Sequence, residues 1–334
     1  MPVFISGATG FIAQHVIKEL LNDGFQVIGS VRSKAKGEYL SSLIKSKKFS
    51  YAVVPDIVAT GAFDQVLQEN QDIDSFIHTA SPVDFQVSDV QTGLLDPAIE
   101  GTKNVLIAIE KYGKNVKNVV VTSSTSAVRD SSGSRPSNSL LTEASWNEIT
   151  LEQGLKSARL GYSAAKTFAE KEVWKFAAEH NGTFNITTVN PTYVFGPQAF
   201  EVQNKSQLND SAEYVNNIFK LKPNDDIPMF VGLFIDVRDV AKAHVAAIKK
   251  PKEFNGQRLV LINSAWTNEL LAVIINKHFP NVDIPKGNIE KSDEELKKAD
   301  LKWDNSKTKK LLGYSFIPIE KSVVDAVQQL LDTE

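Results

Sequence analysis

The sequence predicts an α/β fold with a doubly wound parallel sheet and a smaller, discontinuous C-terminal lobe. Short apolar runs alternate with amphipathic segments through the first half of the 334 residues. These runs lack the polar alternation of half-exposed strands, as buried parallel strands do. After Asn190 the alternation stops, and prolines interrupt a polar stretch from 196 to 233. A sheet covered on both faces explains the first pattern, and a separate lobe explains the second.

The predicted elements of the first half follow from residue type and spacing. The strands are short runs rich in β-branched and aromatic residues, and in chain order they cover 3–5, 26–31, 51–55, 75–78, 119–121 and 184–189. The helices have apolar residues three and four positions apart, and they cover 12–22, 62–69, 97–112 and 160–180.

The second half contains fewer strand-like runs. Strands are predicted over 232–236 and 258–262, with a helix over 240–248 between them, and small α/β elements follow over 264–315. An amphipathic helix is predicted over 320–331. We therefore expect a large-sheet domain of residues 1–190 plus about 232–262, a smaller lobe of 191–231 plus 263–316, and a C-terminal helix in 317–334.

Composition excludes several classes of function. Lys and Arg number 37 against 40 Asp and Glu, a formal net charge of −3, so we expect neither nucleic acid nor a membrane surface as partner. Cysteine is absent, which excludes disulfides and thiolate metal sites and suits a reducing compartment. The five histidines show no ligand spacing, so we expect no metal. With no secretory signal and no long apolar run, a cytoplasmic protein is expected.

A glycine turn directly follows the first predicted strand. Residues 6–13 read Ser-Gly-Ala-Thr-Gly-Phe-Ile-Ala and open the first predicted helix. Gly7 permits the sharp turn, Gly10 lets backbone N–H groups approach a pyrophosphate, and Ala13 keeps the helix close to the strand. The helix N-terminus adds partial positive charge. A turn at this place predicts a Rossmann-type dinucleotide-binding domain rather than a purely structural turn.

The end of the second strand indicates which dinucleotide binds. The position that usually holds an acid for the ribose 2′-hydroxyl of NAD is Ser30, about 20 residues after the glycine turn. Arg32 and Lys36 follow it, and a guanidinium suits a 2′-phosphate, which predicts NADP(H). Lys34 and Lys36, taken singly, also fit a solvated basic loop. Asp56, after the third strand, fits an adenine contact and a turn equally well.

Tyr162 and Lys166 are the candidate proton-transfer residues. They lie four positions apart in a predicted helix and therefore share one face. A free tyrosine has a pKa of about 10 and is a poor acid or base at neutral pH. A nearby ammonium favours the phenolate and lowers that pKa toward the working range. A Tyr-x-x-x-Lys spacing downstream of a phosphate-binding turn predicts general acid–base chemistry.

Small polar residues end the fifth predicted strand. Ser123 and Ser124 follow the run over 119–121, at the carboxyl edge where ligands bind. A serine there can donate a hydrogen bond to a carbonyl oxygen that gains negative charge on reduction, although either serine alone also fits a strand-end turn. His78 ends the fourth strand and is best interpreted as a packed ring bonded to backbone. The stretch 236–239 is interpreted as a structural joint between strand, helix and lobe.

These residues together resemble the short-chain dehydrogenase/reductase superfamily in its extended branch. Within it the chain is most similar to fungal NADPH-dependent aldehyde and ketone reductases of the methylglyoxal/3-methylbutanal type, which group with dihydroflavonol and cinnamoyl-CoA reductases. The similarity spans essentially the whole chain. The matching segments are 3–14, 54–57, 78–82, 121–124, 162–166, 190–198, 235–241 and 309–313.

The resemblance implies that the protein reduces aldehydes and ketones to alcohols with NADPH. It makes Tyr162 the acid that protonates the carbonyl oxygen, Lys166 the residue that holds the nicotinamide ribose and lowers the tyrosine pKa, and Ser124 the catalytic serine. It places Arg32 and Lys36 at the 2′-phosphate. The other implied cofactor-binding residues are Gly7, Thr9, Gly10, Phe11, Ile12, Asp56, Ile57, Thr79, Ala80, Ser81, Pro191 and Val194, and the implied pocket residues are Phe85, Thr125 and Tyr193.

Two features depart from that pattern, and two other functions stay open. Relatives often have an aromatic residue where this chain has Thr125, and the segment 130–150 is idiosyncratic, so the substrate range is open. A nucleotide-sugar epimerase or dehydratase shares the fold but usually has an acid at position 30. A non-enzymatic NADP(H) sensor tends to lack the tyrosine or the lysine. We expect a small-molecule carbonyl compound as substrate, and a monomer or homodimer.

Overall fold

A computed structural model describes residues 2–81, 85–180, 182–200 and 210–333. In this part of the chain seven parallel strands form one sheet and three further strands form a second. The strands are β1 Pro2–Ser6, β2 Gln26–Val31, β3 Phe49–Val53, β4 Ser75–His78, β5 Asn118–Thr122, β6 Asn185–Pro191, β7 Tyr193–Phe195, β8 Val231–Asp236, β9 Gln257–Leu261 and β10 Ser264–Thr267.

The helices connect and cover these strands. They are α1 Phe11–Asn22, α2 Lys34–Ile44, α3 Asp64–Glu69, α4 Asp96–Tyr112, α5 Leu151–Gly154, α6 Ala158–Glu179, α7 Asp210–Phe219, α8 Val237–Lys249, α9 Pro251–Phe254, α10 Asn268–His278, α11 Ile289–Ala299, α12 Ser306–Leu312 and α13 Ile319–Asp332. A π-helical turn, Gln91–Leu95, leads into α4, and a 3₁₀ turn, Thr125–Ala127, follows β5.

The large sheet has the strand order β3-β2-β1-β4-β5-β6-β9. Its apolar strands bury both faces. One hydrophobic cluster packs α1 and α8 against one face, and a second packs α3, α4 and α6 against the other. Chain order reverses between β1 and β4, which opens a crevice at the carboxyl edge. The predicted fold class, a Rossmann-type doubly wound sheet with a smaller lobe, is confirmed.

The smaller lobe is built on the second sheet. In it, β8 pairs in parallel with β7 and antiparallel with β10. Its core is aromatic and aliphatic, with Trp266, Phe195 and Phe234 fully buried, and α7, α10 and α13 pack around it. The strand β7 follows β6 after a single residue, so the carboxyl edge of the large sheet continues directly into this lobe.

Two sequence expectations differ from the structure. Residues 232–236 were expected to pair with the large sheet, but β8 belongs to the small sheet and only α8 and β9 join the large one; the division into domains stays a prediction. No helix was predicted directly after Arg32, where a solvated basic loop was one interpretation of Lys34 and Lys36; the segment forms α2, and its N-cap Ser33 accepts from Lys36 N at 3.4 Å.

The described residues include no helix with the length and apolar character needed to span a membrane.

Candidate active site

The carboxyl ends of β1, β4, β5 and β6 meet at one edge of the large sheet. Ser6 at the end of β1 pairs with His78 at the end of β4, and His78 pairs with Val121 near the end of β5. Thr122 in turn pairs with Val189 of β6. All the candidate catalytic residues belong to these strand ends or to α6, which packs beside them.

The glycine turn after β1 leaves an open helix N-terminus. Gly7 has φ +68°, and a Cβ there would lie 3.0 Å from Ala80 Cα, so glycine permits both the turn and its close approach to β4. Gly10 is the N-cap of α1, and no side chain caps the helix there. Thr9 and Gly10 are exposed, and Phe11 and Ile12 are half-buried. The first N–H groups of α1 therefore face the solvent side, which fits a pyrophosphate.

A hydroxyl-centred network fixes the turn to the end of β4. Ser6 Oγ accepts from the backbone N–H groups of Thr79 and Ala80, both at 3.1 Å, and lies 2.8 Å from His78 Nδ1. The hydroxyl of Thr79 donates to Ser6 O. His78 is buried, and desolvation lowers its pKa to about 3, so the ring is neutral. His78 is thus a packed ring, as expected, but its hydrogen-bond partners within the described chain are the hydroxyls of Ser6 and, at 3.4 Å, Thr102, and not the expected backbone groups. Ala80 and Ser81 are half-buried at the same edge.

The end of β2 carries no carboxylate. Ser30 is buried and its hydroxyl accepts from Gly7 N at 3.0 Å, so it braces the glycine turn. Arg32 and Lys36 are exposed beside the N-terminus of α2. Asp56 is exposed after β3 and accepts from Val58 N at 2.9 Å. It therefore makes a turn contact. Ile57 packs half-buried against α4.

Tyr162 and Lys166 share one face of α6, as predicted from their spacing. Lys166 is 7% exposed, and its Nζ lies 5.8 Å from the centre of the Tyr162 ring. Burial lowers the pKa of Lys166 to about 8, opposed by the negative charge of Glu170. Phe85 stands edge-on to Tyr162, with ring centres 5.6 Å apart, and is 45% exposed. An ammonium beside a phenol that is half-buried is the arrangement that proton transfer requires.

The serine pair after β5 divides into two roles. Ser124 is buried and caps the 3₁₀ turn. Its Oγ accepts from Ser126 N at 3.1 Å, a contact that does not use the hydroxyl proton of Ser124. Ser123 donates to Glu170 at 2.5 Å. Thr125 begins the turn, is 9% exposed, and packs with the turn against α6. Within the described residues, Ser123 thus donates its hydroxyl to Glu170, whereas the Ser124 hydroxyl acts as an acceptor in the turn.

The segment after β6 lies between the two sheets. Pro191 and Val194 are buried, and the hydroxyl of Thr192 donates to Leu233 O at 3.2 Å. Tyr193 is half-buried in an aromatic cluster, with ring centres 5.3 Å from Tyr214, 5.6 Å from Phe230 and 6.0 Å from Trp266. Pro82, part of the motif over 78–82, lies outside the described residues.

A buried ion pair behind α6 was missed by the sequence reasoning. Glu170, 1% exposed, pairs with Arg258 of β9 at 2.6 Å. The signal available in the sequence was that Glu170 continues the Tyr162–Lys166 face by one further turn. Its donors are Ser123 at 2.5 Å, Arg258 and Asn190 at 2.6 Å, Trp174 at 3.1 Å and Thr188 at 3.2 Å.

The described residues contain no group of three His, Asp or Glu side chains arranged to hold a metal ion. The doubly wound sheet and the open glycine turn at its carboxyl edge define a dinucleotide-binding α/β protein. A model of the NAD dependent epimerase/dehydratase family matches residues 3–262, and the chain belongs to that family. The resemblance to extended short-chain dehydrogenases/reductases is thereby confirmed.

Individual relatives are similar over their full length. The chain is 45% identical over 336 residues to a putative NADPH-dependent methylglyoxal reductase of Candida albicans, with 98% of each chain covered. It is 42% identical over 343 residues to an NADPH-dependent methylglyoxal reductase of Saccharomyces cerevisiae, covering 100% of this chain and 99% of the relative. A crystal structure of a yeast methylglyoxal/isovaleraldehyde reductase complexed with NADPH superimposes with a TM-score of 0.94, at 42% identity, covering 99% and 98%.

Proposed function

We propose that this protein reduces aldehydes and ketones to alcohols with NADPH, using Ser124, Tyr162 and Lys166. The observation that carries the proposal is the buried Lys166 one turn beyond Tyr162 on α6, beside the end of β5. The relatives named as NADPH-dependent methylglyoxal reductases support the activity.

The residues of the described chain fit NADPH. The uncapped N-terminus of α1 suits the pyrophosphate, and the missing Cβ of Gly7 lets the turn lie against Ala80. Arg32 and Lys36 supply positive charge where an NAD site would have an acid, and Ser30 is already engaged with the turn. The further residues that would hold the cofactor are Thr9, Gly10, Phe11, Ile12, Asp56, Ile57, Thr79, Ala80, Ser81, Pro191 and Val194.

When bound, NADPH supplies the hydride that reduces the carbonyl carbon. Tyr162 donates its phenolic proton to the carbonyl oxygen, and the Ser124 hydroxyl donates a hydrogen bond to the same oxygen as it gains negative charge. The Lys166 ammonium stabilises the phenolate that remains. The low exposure of Lys166 excludes water and strengthens this charge effect.

The substrates that fit are carbonyl compounds with apolar substituents. Phe85, Thr125 and Tyr193 are the proposed pocket residues. The edge-on ring of Phe85 covers one side of Tyr162, and Thr125 follows the proposed catalytic serine directly. Tyr193 joins the site to the aromatic cluster of the small lobe. A cytoplasmic monomer or homodimer remains part of this proposal.

The proposal is tested by Tyr162→Phe. NADPH oxidation is followed by absorbance with methylglyoxal, 3-methylbutanal, an aryl ketone and a β-keto ester, with NADH in parallel. We expect the variant to lose at least about 100-fold in kcat, because general acid catalysis contributes factors of about 10²–10⁴. NADPH binding, followed by fluorescence, should be retained.

The matched control is Tyr112→Phe at the C-terminal end of α4, which should leave kcat unchanged. Wild-type turnover by Tyr162→Phe would contradict the acid assignment. Preference for NADH would contradict the role of Arg32. Tight NADPH binding without any turnover by the wild-type protein would favour a sensor or an enzyme that retains its cofactor.

A further inference from the structure

Glu170 is a buried carboxylate that no step of the proposed reaction uses. Both of its oxygens are occupied: Oε1 accepts from Arg258, Trp174 and Thr188, and Oε2 accepts from Ser123 and Asn190. Burying a charge is costly unless it is paired and hydrogen-bonded. A carboxylate with five donors satisfies that condition fully, and it lies one helical turn beyond Lys166.

The partners of Glu170 hold the strand end that carries the proposed catalytic serine. Ser123 precedes Ser124 and donates to Glu170, and Asn190 donates both to Glu170 and to Ser124 O at 3.2 Å. Ser124 is thus held from two sides through this carboxylate. Loss of the carboxylate would remove the hydrogen bonds of both Ser123 and Asn190 to Glu170.

Arg258 extends the same network to the segment that follows the serine. Its guanidinium donates to Glu143 O at 3.0 Å and to Ser145 O at 2.5 Å, and it lies 3.9 Å from the centre of the Trp146 ring. Guanidinium groups suit such sites because they donate in several directions while stacking on an aromatic face. One ion pair therefore joins α6, β9 and the segment 143–146.

In the part of the chain that the structure describes, few charged side chains face Lys166 and Glu170. From β9 comes Arg258, and from β4 comes His78, which is neutral. The turns Gln91–Leu95 and Thr125–Ala127 contribute no charged side chain. Of the helices packed against α6, α5 carries exposed Glu152. On α4, Glu100 and Lys103 form their own surface pair at 2.9 Å, Glu110 lies 3.2 Å from His180, Asp96 accepts from Gln91, and Lys111 is exposed. Glu170, which is paired with Arg258, is thus the charged group of the described residues that acts on the pKa of Lys166.

We propose that Glu170 is a positioning residue that acts with Arg258 to set the proton affinity of the Tyr162–Lys166 unit and to hold Ser124 in place. This inference rests on the proposed function. The negative charge of Glu170 raises the pKa of Lys166 against the effect of burial. A negative charge disfavours proton loss from each neighbouring group, so its removal favours proton loss from tyrosine and lysine alike.

The test is the pH profile of kcat/KM for carbonyl reduction by Glu170→Gln. Reduction requires a protonated tyrosine and a charged lysine, so activity falls on the basic side of the profile. In Glu170→Gln the midpoint of this basic limb should move down by about 0.5–1 pH unit. In Arg258→Gln the midpoint should move up, because the carboxylate of Glu170 then lacks its cationic partner.

Glu172→Gln, which neutralises a carboxylate of α6 outside this network, should leave the limb in place. Opposite shifts separate an electrostatic role from a merely structural one, since both variants break the same ion pair. Limbs that stay in place, or that move in the same direction, overturn the proposal. If Glu170→Gln does not fold, Arg258→Gln decides by the direction of its shift.

A second readout does not need turnover. Ultraviolet difference absorbance of tyrosinate is titrated in the cofactor-free protein, and the Tyr162→Phe titration is subtracted to isolate one phenol. Glu170→Gln should ionise this phenol at lower pH than the wild type, and an unchanged titration overturns the inference. Absence of turnover in the wild-type protein would contradict the proposed function while leaving this measurement valid.

Discussion

Arg32 is the single side chain on which cofactor choice is proposed to depend. It is exposed at the N-terminus of α2 and forms no ion pair with any of the residues that the structure describes, in contrast to Lys34, which pairs with Glu38 at 3.6 Å. We expect Arg32→Ser to raise the KM for NADPH about 10- to 100-fold, since a charge-assisted hydrogen bond contributes about 1.5–3 kcal/mol. The KM for NADH should change little.

Lys34→Ser is the matched control for Arg32→Ser, because it removes a neighbouring charge that is already paired at the surface. Steady-state kinetics with both cofactors give the comparison. Equal losses of NADPH affinity in the two variants would indicate a diffuse basic surface rather than a specific phosphate contact.

Gly7 combines a left-handed backbone with a close contact, and the two costs can be separated. Gly7→Ala should lower the free energy of unfolding by about 1–2 kcal/mol for the positive φ, with a further loss because the new Cβ meets Ala80 Cα at 3.0 Å. NADPH affinity should fall at least tenfold as the turn moves. Urea unfolding and fluorescence titration measure the two effects.

Gly133→Ala gives the control for Gly7→Ala. Gly133 has φ +83° with nothing within 4 Å of the added Cβ, so it reports the backbone cost alone. If the two substitutions destabilise equally and neither affects NADPH, the proposed role of the tight approach to β4 is wrong.

At the scale of elements, α6 shows what the sequence could and could not reveal. A helix over 160–180 was predicted from periodicity, and the structure has it at Ala158–Glu179. The Tyr162–Lys166 face needed only local spacing. The role of Glu170 depends on Arg258 and Ser123, which are distant in sequence, so no local pattern could identify it.

Two other elements were predicted incompletely for related reasons. Helix α2 buries only Gly37 and Leu40, so its apolar periodicity is too weak to distinguish it from a loop. Strand β8 is a short apolar run like those of the large sheet, and pairing partners are set by tertiary packing rather than by the run itself. The part of the candidate site that lies on a single helix, Tyr162 and Lys166 on α6, was predictable from spacing, whereas the contacts between distant elements were not.

The joint between β8, α8 and α13 is an ion-pair network, in agreement with the structural interpretation of 236–239. Arg238 donates to Asp236 at 2.7 Å and to Asp325 at 2.6 Å, and Asp236 is fully buried. We expect Arg238→Met to lower the free energy of unfolding by about 3 kcal/mol, because it leaves a buried carboxylate uncompensated.

Lys321→Met removes the exposed partner of Asp325, 3.0 Å away, and should cost less than about 1 kcal/mol. Urea unfolding of both variants tests the comparison. If both variants lower the free energy of unfolding by the same small amount, the network stabilises the fold no more than a surface ion pair does.

At the scale of the whole molecule, buried histidines link stability to pH. His15, His78 and His244 are each at most 5% exposed, and desolvation lowers their pKa values to about 4, about 3 and about 4. The unfolded chain takes up protons on these rings below about pH 6.5, whereas the folded chain does so only near pH 3–4. Stability therefore falls as the pH falls through that window.

Each of the three rings should lower the free energy of unfolding by about 2 kcal/mol as the pH falls from 6.5 to 5, because one pKa unit corresponds to about 1.36 kcal/mol. Asp239 opposes them, because burial raises its pKa to about 6 and the folded state then retains a proton that the unfolded state loses. Urea unfolding at pH 7.5, 6 and 5 measures the net slope. His244→Gln should reduce the slope, and an unchanged slope would show that this ring does not titrate as described.

The segment 138–146 makes contacts with distant parts of the chain at both of its ends. Near the site it is held by Arg258, and farther out Leu141 forms a bridge with Trp303 while Asn138 bonds Asp300 at 2.7 Å. Grafting this segment alone from a homologue, to alter substrate range, would therefore leave mismatched ends. Chimeras should exchange 130–150 together with 300–304, and a laboratory library that randomises both stretches jointly should yield more folded variants than one confined to the first.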